Sequence, residues 1–525
     1  MANSPAVKTT KSSSEKINKE DDPPDSFFLK NKISKTKEPL KRLGPFFVSS
    51  PTKNMAGDER KILIRPKIRK NGIELNVNGN PFSINYPKNL WRKYPFLSQK
   101  LLAENLSFAL TLHLPYILDI NSLSYQMPEP LIKEVISEGF KNALPATAFS
   151  KSKKTSEILN KFSKIEYHFN GEKNRTYQGA QTKVWEGGGR VGVPPQRKTE
   201  NVAVMLFSFG KDSLLTYGVC NEIGIKTIPF YVKEPLSPIE DYNKEILAKR
   251  FFEEFKKKVL FVENGAGQLR DFINNDGYGW ELNLAQFGLM GLPIAYVKKA
   301  RYLFYSNEQS CNYKFLDQEG FWGYPAYDQT VEWILNLQRI VRVLGMKNLK
   351  VGSLIEPLHD LAIIRILHHR YPEIAKYQMS CGEDEPEMKN HRWCGNCSKC
   401  ARVYIFLLAN KINPKNLDFP TNMLQLKHKN KFALFEDGTE KSCGYDKARL
   451  GRDEQLLAFY LAYKNSYEGE LIDLFKKLYL KEAEKREKEL KKKYFGIHST
   501  TTVPNELREK TLRIFREELK NLERI

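Results

Sequence analysis

The stretch Val202-Ala-Val-Met-Leu-Phe-Ser-Phe-Gly-Lys-Asp-Ser213 decides the fold of this chain. Residues 202–207 are apolar throughout, which predicts a strand buried in a parallel sheet. A short polar turn follows at residues 208–213, and an apolar-periodic helix begins directly after it. In this geometry, backbone N–H groups and the helix N-terminus bind phosphate oxygens. The sequence therefore predicts an α/β fold with a phosphate-binding turn at the end of one parallel strand.

The residue types in the turn support this prediction. Gly210 lets the chain approach a ligand closely, Lys211 supplies a cation and Asp212 a magnesium ligand. Ser208 and Ser213 add hydroxyl donors. The phosphate loop G-x-x-x-x-G-K-[ST] is excluded, because an aspartate follows the lysine and a methionine occupies the place of the earlier glycine.

Strands and helices alternate after residue 201. Further strands are predicted at residues 227–232, 259–262, 301–306 and 349–353, with helices such as 281–299 and 327–344 between them. This rhythm predicts a doubly wound parallel sheet that binds ligands outside the carboxyl ends of its strands. Within residues 61–150 we expect a hairpin starting near residue 61, helices at 95–113 and 128–143, and a strand at 114–120.

The predicted domain organisation follows the shifts in composition. Residues 1–60 are predicted to form a disordered tail, and residues 61–150 an α+β N-terminal domain. The polar, glycine-rich segment 151–200 is a linker or a lid loop. Residues 201–415 form the nucleotide-binding domain with a cysteine-rich metal loop, and 416–525 a helical, highly charged C-terminal region.

Composition limits the partners and the compartment. The 525-residue chain has a formal net charge of +22, but its cations are interleaved with acids. Nucleic-acid binding is therefore possible and not favoured, and a phosphate-rich small molecule fits equally well. The N-terminus lacks the apolar core of a signal peptide, and no run approaches the roughly 18 apolar residues of a membrane span. With seven cysteines, four of them at metal-ligand spacing, we expect a cytoplasmic protein without a membrane partner.

The four clustered cysteines form a second motif. Cys394, Cys397 and Cys400 follow a C-x-x-C-x-x-C pattern, and Cys381 lies upstream. Three thiolates on one tight loop, joined by a fourth, form a closed tetrahedral site of the structural zinc type. An iron–sulfur cluster is the alternative, because ferredoxin motifs begin in the same way. Zinc is favoured, since Tyr404 occupies the place of the next expected cysteine.

The 208–213 turn resembles the S-G-G-x-D-S signature of the PP-loop ATP pyrophosphatases, with Phe209 in place of the first glycine. With the cysteine motif, the chain resembles the 7-cyano-7-deazaguanine synthase-like branch of that superfamily. It is more similar still to the ATP-dependent UDP-N-acetylmuramoyl-L-alanyl-L-glutamate epimerase family. This likeness covers about residues 80–460 and also rests on Phe304-Tyr-Ser-Asn-Glu-Gln-Ser310, Ser353-Leu-Ile-Glu-Pro-Leu-His-Asp-Leu361 and His391-Arg-Trp-Cys-Gly.

The resemblance implies a chemistry and a set of site residues. ATP, with Mg²⁺, would adenylate the terminal L-glutamate of the nucleotide-sugar peptide, release pyrophosphate and AMP, and make the glutamate Cα–H removable by a side-chain base. Zn²⁺ would occupy the cysteine site. The ATP-binding candidates are Ser208, Phe209, Gly210, Lys211, Asp212 and Ser213. The catalytic candidates are Lys211, Asp212, Glu308 and Cys443, with His391 as a further candidate base.

Two other functions stay open at this stage. One is a deazaguanine-type enzyme that converts a carboxylate to an amide or a nitrile. The other is a non-catalytic nucleotide-binding protein of a defence or regulatory complex. The sequence carries no signal of oligomeric state.

Overall fold

The chain alternates between strands and helices along most of its length. The computed structural model describes residues 62–171, 198–271, 277–383, 388, 391–435 and 444–520. The strands within these ranges are β1 (Ile62–Arg69), β2 (Gly72–Val77), β3 (Asn80–Asn85), β4 (Ser122–Tyr125), β5 (Glu166–Phe169), β6 (Glu200–Leu206), β7 (Lys226–Lys233), β8 (Leu260–Asn264), β9 (Ala300–Tyr305), β10 (Phe315–Leu316), β11 (Trp322–Gly323) and β12 (Lys350–Ser353). The helices are α1 (Lys88–Lys93), α2 (Phe96–Thr111), α3 (Leu114–Leu118), α4 (Lys133–Ser150), α5 (Thr155–Ser163), α6 (Lys211–Glu222), α7 (Pro238–Phe255), α8 (Asn283–Met290), α9 (Leu292–Val297), α10 (Val331–Val343), α11 (Asp360–Arg370), α12 (Pro372–Ala375), α13 (Ser398–Ala409), α14 (Gly444–Lys447), α15 (Arg452–Lys464), α16 (Glu470–Tyr494) and α17 (Asn505–Leu519).

Ten strands join in one sheet, in the order β12-β9-β6-β7-β8-β3-β2-β1-β4-β5. From β12 to β8 every neighbouring pair is parallel, which confirms the predicted α/β class. The chain passes from β6 outward to β8 and then returns to the other side of β6 to form β9 and β12. This reversal places a topological switch point between β6 and β9, where α/β sheets have their ligand crevice.

The N-terminal strands extend the same sheet. Strands β1, β2 and β3 form an antiparallel meander that includes the predicted hairpin, and β3 pairs antiparallel with β8. Strands β4 and β5 continue in parallel beyond β1. The described residues belong to one compact unit, and the regions predicted as domains at 61–150 and 201–415 share one sheet. The predicted tail at 1–60 lies outside the described residues.

Two local predictions are wrong, and a third segment holds more regular structure than its composition indicated. Residues 114–120 contain helix α3 and no strand, because Pro115 lies at the first helical turn, where its fixed φ is favourable. The predicted helix at 281–299 is divided into α8 and α9 at Gly291, just before Pro293. The first part of the predicted linker or lid at 151–200 holds α5 and β5, and residues 172–197 lie outside the described part.

The C-terminal helices belong to the core around the parallel strands. Helix α16 lies in the region predicted to be helical and highly charged, but it also buries Leu471, Phe475, Leu490 and Tyr494. These side chains lie in the same hydrophobic cluster as Phe207 at the end of β6. The C-terminal region therefore contributes to the core beside the switch point.

One helical stretch, Phe96–Leu118, is apolar and long enough to cross a bilayer. It packs inside the protein, and 89% of its most apolar window is buried. Buried core helices are apolar on all sides, so packing accounts for this composition.

Candidate functional site

Residues 208–213 run from the end of β6 into α6 at the switch point, and the helix begins at Lys211, earlier than the sequence predicted. Phe209 adopts a left-handed backbone conformation, with φ of 58°. Glycine adopts this conformation without steric cost, whereas other residues rarely do. The Phe209 ring is buried and contacts Phe207 and Phe251, at ring-centroid distances of 4.7 and 5.7 Å. Phe209 thus keeps the turn that glycine favours, its ring lies in the core, and only its backbone faces the loop.

The loop presents polar groups at its outer side. Ser208 is exposed, and Gly210, which precedes the first turn of α6, has no side chain that could cap that turn. The backbone N–H groups of that turn are therefore suited to an anion. Ser213 is buried and donates a hydrogen bond to the Gly210 carbonyl at 3.1 Å. Of the two predicted hydroxyl donors, Ser208 is exposed to solvent and Ser213 stabilises the turn through its hydrogen bond to Gly210.

The segment before Cys381 holds the loop from the other side. Met379 N donates to the Phe209 carbonyl at 2.8 Å, and Lys211 N donates to Ser380 Oγ at 3.4 Å. The buried Lys244 Nζ donates to the carbonyls of Ser208 and Met379, the latter at 2.8 Å. Burial lowers the pKa of Lys244 to about 8, with Glu240 acting in the opposite direction.

Lys211 lies at the centre of a buried group of charges. Its Nζ is 2.8 Å from Asp212 Oδ1 and 2.7 Å from Asp360 Oδ1. Asp360 is the first residue of α11 and also lies 3.4 Å from Arg402 Nε. Burial alone would lower the pKa of Lys211, but Asp212, Asp360 and Glu308 together raise it, so the side chain stays cationic.

Glu308 lies close to Lys211, just after β9. Its carboxylate accepts hydrogen bonds from Ser310 Oγ and from Ser310 N, the latter at 2.6 Å. Burial and the neighbouring Asp360 raise the pKa of Glu308 to about 8, and Lys211 acts in the opposite direction. Glu454 lies near the same group, because it accepts a hydrogen bond from the backbone N–H of Leu361, the residue after Asp360, at 2.8 Å.

Acids outnumber cations in this group. We define the buried charge cluster as Lys211, Asp212, Glu308, Asp360, Arg402, Asp446 and Glu454. Buried carboxylates without enough opposite charge bind protons or a cation. Burial accordingly raises the pKa of Asp212 and Glu454 as well as that of Glu308. Asp212 remains 31% exposed, so its carboxylate can be reached from solvent.

The four predicted metal ligands come together. The Sγ atoms of Cys381, Cys394, Cys397 and Cys400 all lie within 4.8 Å of one another, and those of Cys394 and Cys400 are 3.7 Å apart. Tetrahedral zinc with Zn–S bonds of about 2.3 Å needs sulfur atoms about 3.8 Å apart. A cluster of several metal ions would hold its thiolates farther apart. This site could therefore hold a single metal ion such as zinc.

The local backbone explains why the cysteines converge. Gly395 has φ of 63°, and a side chain there would collide with Thr421 and Pro420. Backbone N–H groups of Asn396 and Cys400 donate to the sulfurs of Cys394 and Cys397, each at 3.4 Å. Such bonds stabilise negative charge on sulfur.

The structure brings together some predicted catalytic residues and leaves others apart. Lys211, Asp212 and Glu308 belong to the buried charge cluster. His391 is exposed on the cysteine loop. Cys443 lies outside the described residues.

Sequence reasoning missed the roles of Asp360, Arg402 and Glu454. Asp360 carried a recognisable signal, because a carboxylate that begins a helix after a parallel strand lies at the ligand edge of the sheet. Arg402 and Glu454 follow no such pattern, since each lies within a helix.

Comparisons with known proteins add no family assignment. No protein-family model matches this chain, and no curated protein matches it.

Proposed function

We propose that this protein is a PP-loop ATP pyrophosphatase that activates a substrate carboxylate by adenylation. The observation that carries the proposal is Lys211 between two carboxylates at the switch point, 2.8 Å from Asp212 and 2.7 Å from Asp360. The motif's lysine and aspartate are thus joined by further buried acids at the edge where parallel sheets bind nucleotides. This arrangement favours an active enzyme over a non-catalytic nucleotide-binding protein.

Each side chain has a role that its position supports. Lys211 stays cationic and would offset charge that develops on the phosphates when pyrophosphate leaves. Ser208 and the first-turn N–H groups of α6 would hold phosphate oxygens. Asp212 and Asp360 would hold Mg²⁺, which screens the phosphates when bound. Phe209 contributes its backbone alone, because its ring is buried.

The most specific form of the proposal names the epimerase reaction. A carboxylate oxygen of the terminal L-glutamate would attack the α-phosphorus of ATP, and the bond to pyrophosphate would break. The acyl-adenylate acidifies the neighbouring Cα–H, a base removes that proton, and a proton returns from the other face. Hydrolysis then gives the D-glutamate product and AMP. Glu308 is the base candidate that lies beside Lys211, and Cys443 stays a prediction.

The test of the reaction class is direct. Incubation with ATP and candidate carboxylates should give AMP and pyrophosphate in equal amounts. Asp212→Asn and Ser213→Ala should abolish this reaction without unfolding the protein, while Asp473→Asn, at an exposed site on α16, should retain it. Wild-type-like activity in Asp212→Asn would show that the loop is not the ATP site.

A second measurement identifies the substrate reaction. With UDP-N-acetylmuramoyl-L-alanyl-L-glutamate in heavy water, an epimerase incorporates deuterium at the glutamate α position, because inversion requires that C–H bond to break. An amide- or nitrile-forming enzyme would adenylate its carboxylate, require ammonia and leave the C–H bond intact. AMP formation without deuterium uptake would therefore exclude the epimerase and retain the broader class.

A further inference from the structure

A buried lysine joins the 208–213 loop to the segment that leads into Cys381. Lys244 lies on α7 and is only 1% exposed. Its Nζ donates to the carbonyls of Ser208 and Met379, the latter at 2.8 Å. Among the residues that the structure describes, neither carbonyl accepts a hydrogen bond from any other group. Lys244 therefore connects two segments that are far apart in the chain.

The surroundings of Lys244 show that it acts through these segments and not on a ligand. Its ammonium is buried, and Glu240 Oε1 lies 3.8 Å from the same nitrogen. Burying an ammonium group is unfavourable, and an apolar side chain would fill the same space with a smaller penalty. The two carbonyl hydrogen bonds explain why a lysine is present, because they fix the peptide groups of both segments.

The segment held by this lysine brings a hydroxyl group to the phosphate-binding turn. Ser380 Oγ lies 3.4 Å from Lys211 N and 3.9 Å from the position that a Cβ atom on Gly210 would occupy. Ser208 Oγ lies 3.3 Å from that same Cβ position. Two hydroxyl groups from different segments thus lie beside Gly210, which immediately precedes α6.

The hydrogen bonds of Ser380 leave its hydroxyl hydrogen available to a ligand. Its Oγ accepts from Lys211 N and from Gln378 Nε2, at 3.4 and 3.3 Å. A hydroxyl oxygen has two acceptor positions and one hydrogen, so the protein occupies both acceptor positions. No group within the described ranges accepts the hydrogen, and Ser380 is partly exposed. A phosphate oxygen at the turn could accept it.

We propose that Lys244 is a positioning residue of the ATP site and that it fixes the Ser380 hydroxyl as a phosphate contact. This inference rests on the proposed ATP-binding function. Met379 N donates to the Phe209 carbonyl at 2.8 Å, and the Met379 carbonyl accepts from Lys244, so both peptide groups of the residue before Ser380 are held. Phosphate oxygens are charged, and a hydroxyl donates a strong hydrogen bond to a charged acceptor.

Calorimetric titration of the full chain with pyrophosphate and Mg²⁺ tests the inference without turnover. Ser380→Ala should weaken pyrophosphate binding about tenfold or more, because a hydrogen bond to a charged group is lost. Ser380→Thr retains the hydroxyl and should restore most of the affinity. Lys244→Met should also weaken binding about tenfold or more. A variant with both Lys244→Met and Ser380→Ala should bind about as weakly as Lys244→Met alone, because the lysine acts through the serine.

Two controls separate positioning from a role in folding alone. Thermal unfolding without ligand measures the stability of each variant; a lysine that only supports the fold would change the Tm and leave the affinity of the folded protein unchanged. Lys249→Met removes an exposed lysine from the same helix, α7, and should leave pyrophosphate binding unchanged. If Lys244→Met does not fold, Lys244→Gln, which keeps N–H donors but not the charge, takes its place and should also weaken binding.

The outcomes distinguish this inference from the function on which it rests. A wild-type protein that neither binds pyrophosphate nor forms AMP from ATP would overturn both. AMP formation without pyrophosphate binding would overturn the inference alone. So would wild-type affinity in Ser380→Ala or in a folded Lys244 variant, or losses of the two single variants that multiply fully in the double variant.

Discussion

The left-handed backbone of Phe209 makes a quantitative prediction for protein stability. Phe209→Ala removes a fully buried ring and should lower the free energy of unfolding by about 3–5 kcal/mol. Alanine retains the unfavourable φ of 58°, which costs an L-residue about 1–2 kcal/mol. Phe209→Gly removes the ring and also this steric cost. At most buried positions glycine is less stable than alanine, by about 0.5–1 kcal/mol from backbone entropy plus about 0.8 kcal/mol for the lost methyl group.

Phe207 is the matched control, because it is equally buried, packs against the Phe251 ring as Phe209 does, and has no positive φ. At each position, the free energy of unfolding of the alanine variant is subtracted from that of the glycine variant. Subtracting the result at Phe207 from the result at Phe209 cancels the contributions of backbone entropy and of the methyl group. The remainder should equal the relieved backbone cost, about 1–2 kcal/mol in favour of glycine. Urea denaturation of the four variants, followed by circular dichroism, measures each term. A double difference near zero would show that the Phe209 backbone is not left-handed in solution.

Three further predictions concern the cluster, the metal and pH. Asp360→Asn should lower the rate of AMP formation by about 10²-fold or more, because Lys211 loses a carboxylate at 2.7 Å. The far-UV circular dichroism should change little. An unchanged rate would show that Asp360 is not part of the site. Purified protein should be colourless and hold about one zinc per chain by metal analysis. Cys397→Ala should lose the zinc, whereas Cys220→Ala, at a buried cysteine outside the metal site, should retain it. A brown protein would indicate an iron–sulfur cluster. Burial lowers the pKa of His113 to about 4 from its ordinary 6.5. As the pH falls from 6.5 toward 4, the unfolded chain binds a proton at His113 before the folded protein does. The free energy of unfolding should therefore fall over this range, by up to about 3 kcal/mol. His113→Asn should flatten this part of the curve of unfolding free energy against pH. Equal slopes in wild type and His113→Asn would contradict the assignment.

Local patterns in the sequence predicted the elements that carry the proposed chemistry. Parallel strands such as β6 and β9 are buried on both faces over most of their length and are mainly apolar there, so a short window of sequence identifies them. The same holds for three of the metal ligands, because the C-x-x-C-x-x-C spacing itself places Cys394, Cys397 and Cys400 on one loop. Local patterns failed at residues 114–120, where an apolar run fits a strand as well as a buried helix.

The sequence by itself determined the α/β class, the position of the 208–213 loop and the composition of the cysteine site, since each depends on residues near one another in the chain. Only the tertiary structure decided that β3 pairs with β8, because backbone hydrogen bonds between strands are available to every sequence and leave no signature in side chains. It also decided that Asp360, Arg402 and Glu454 surround Lys211, although they come from three separate helices. Their electrostatic effect depends on distance and burial, and neither quantity is encoded in the spacing of residues along the chain.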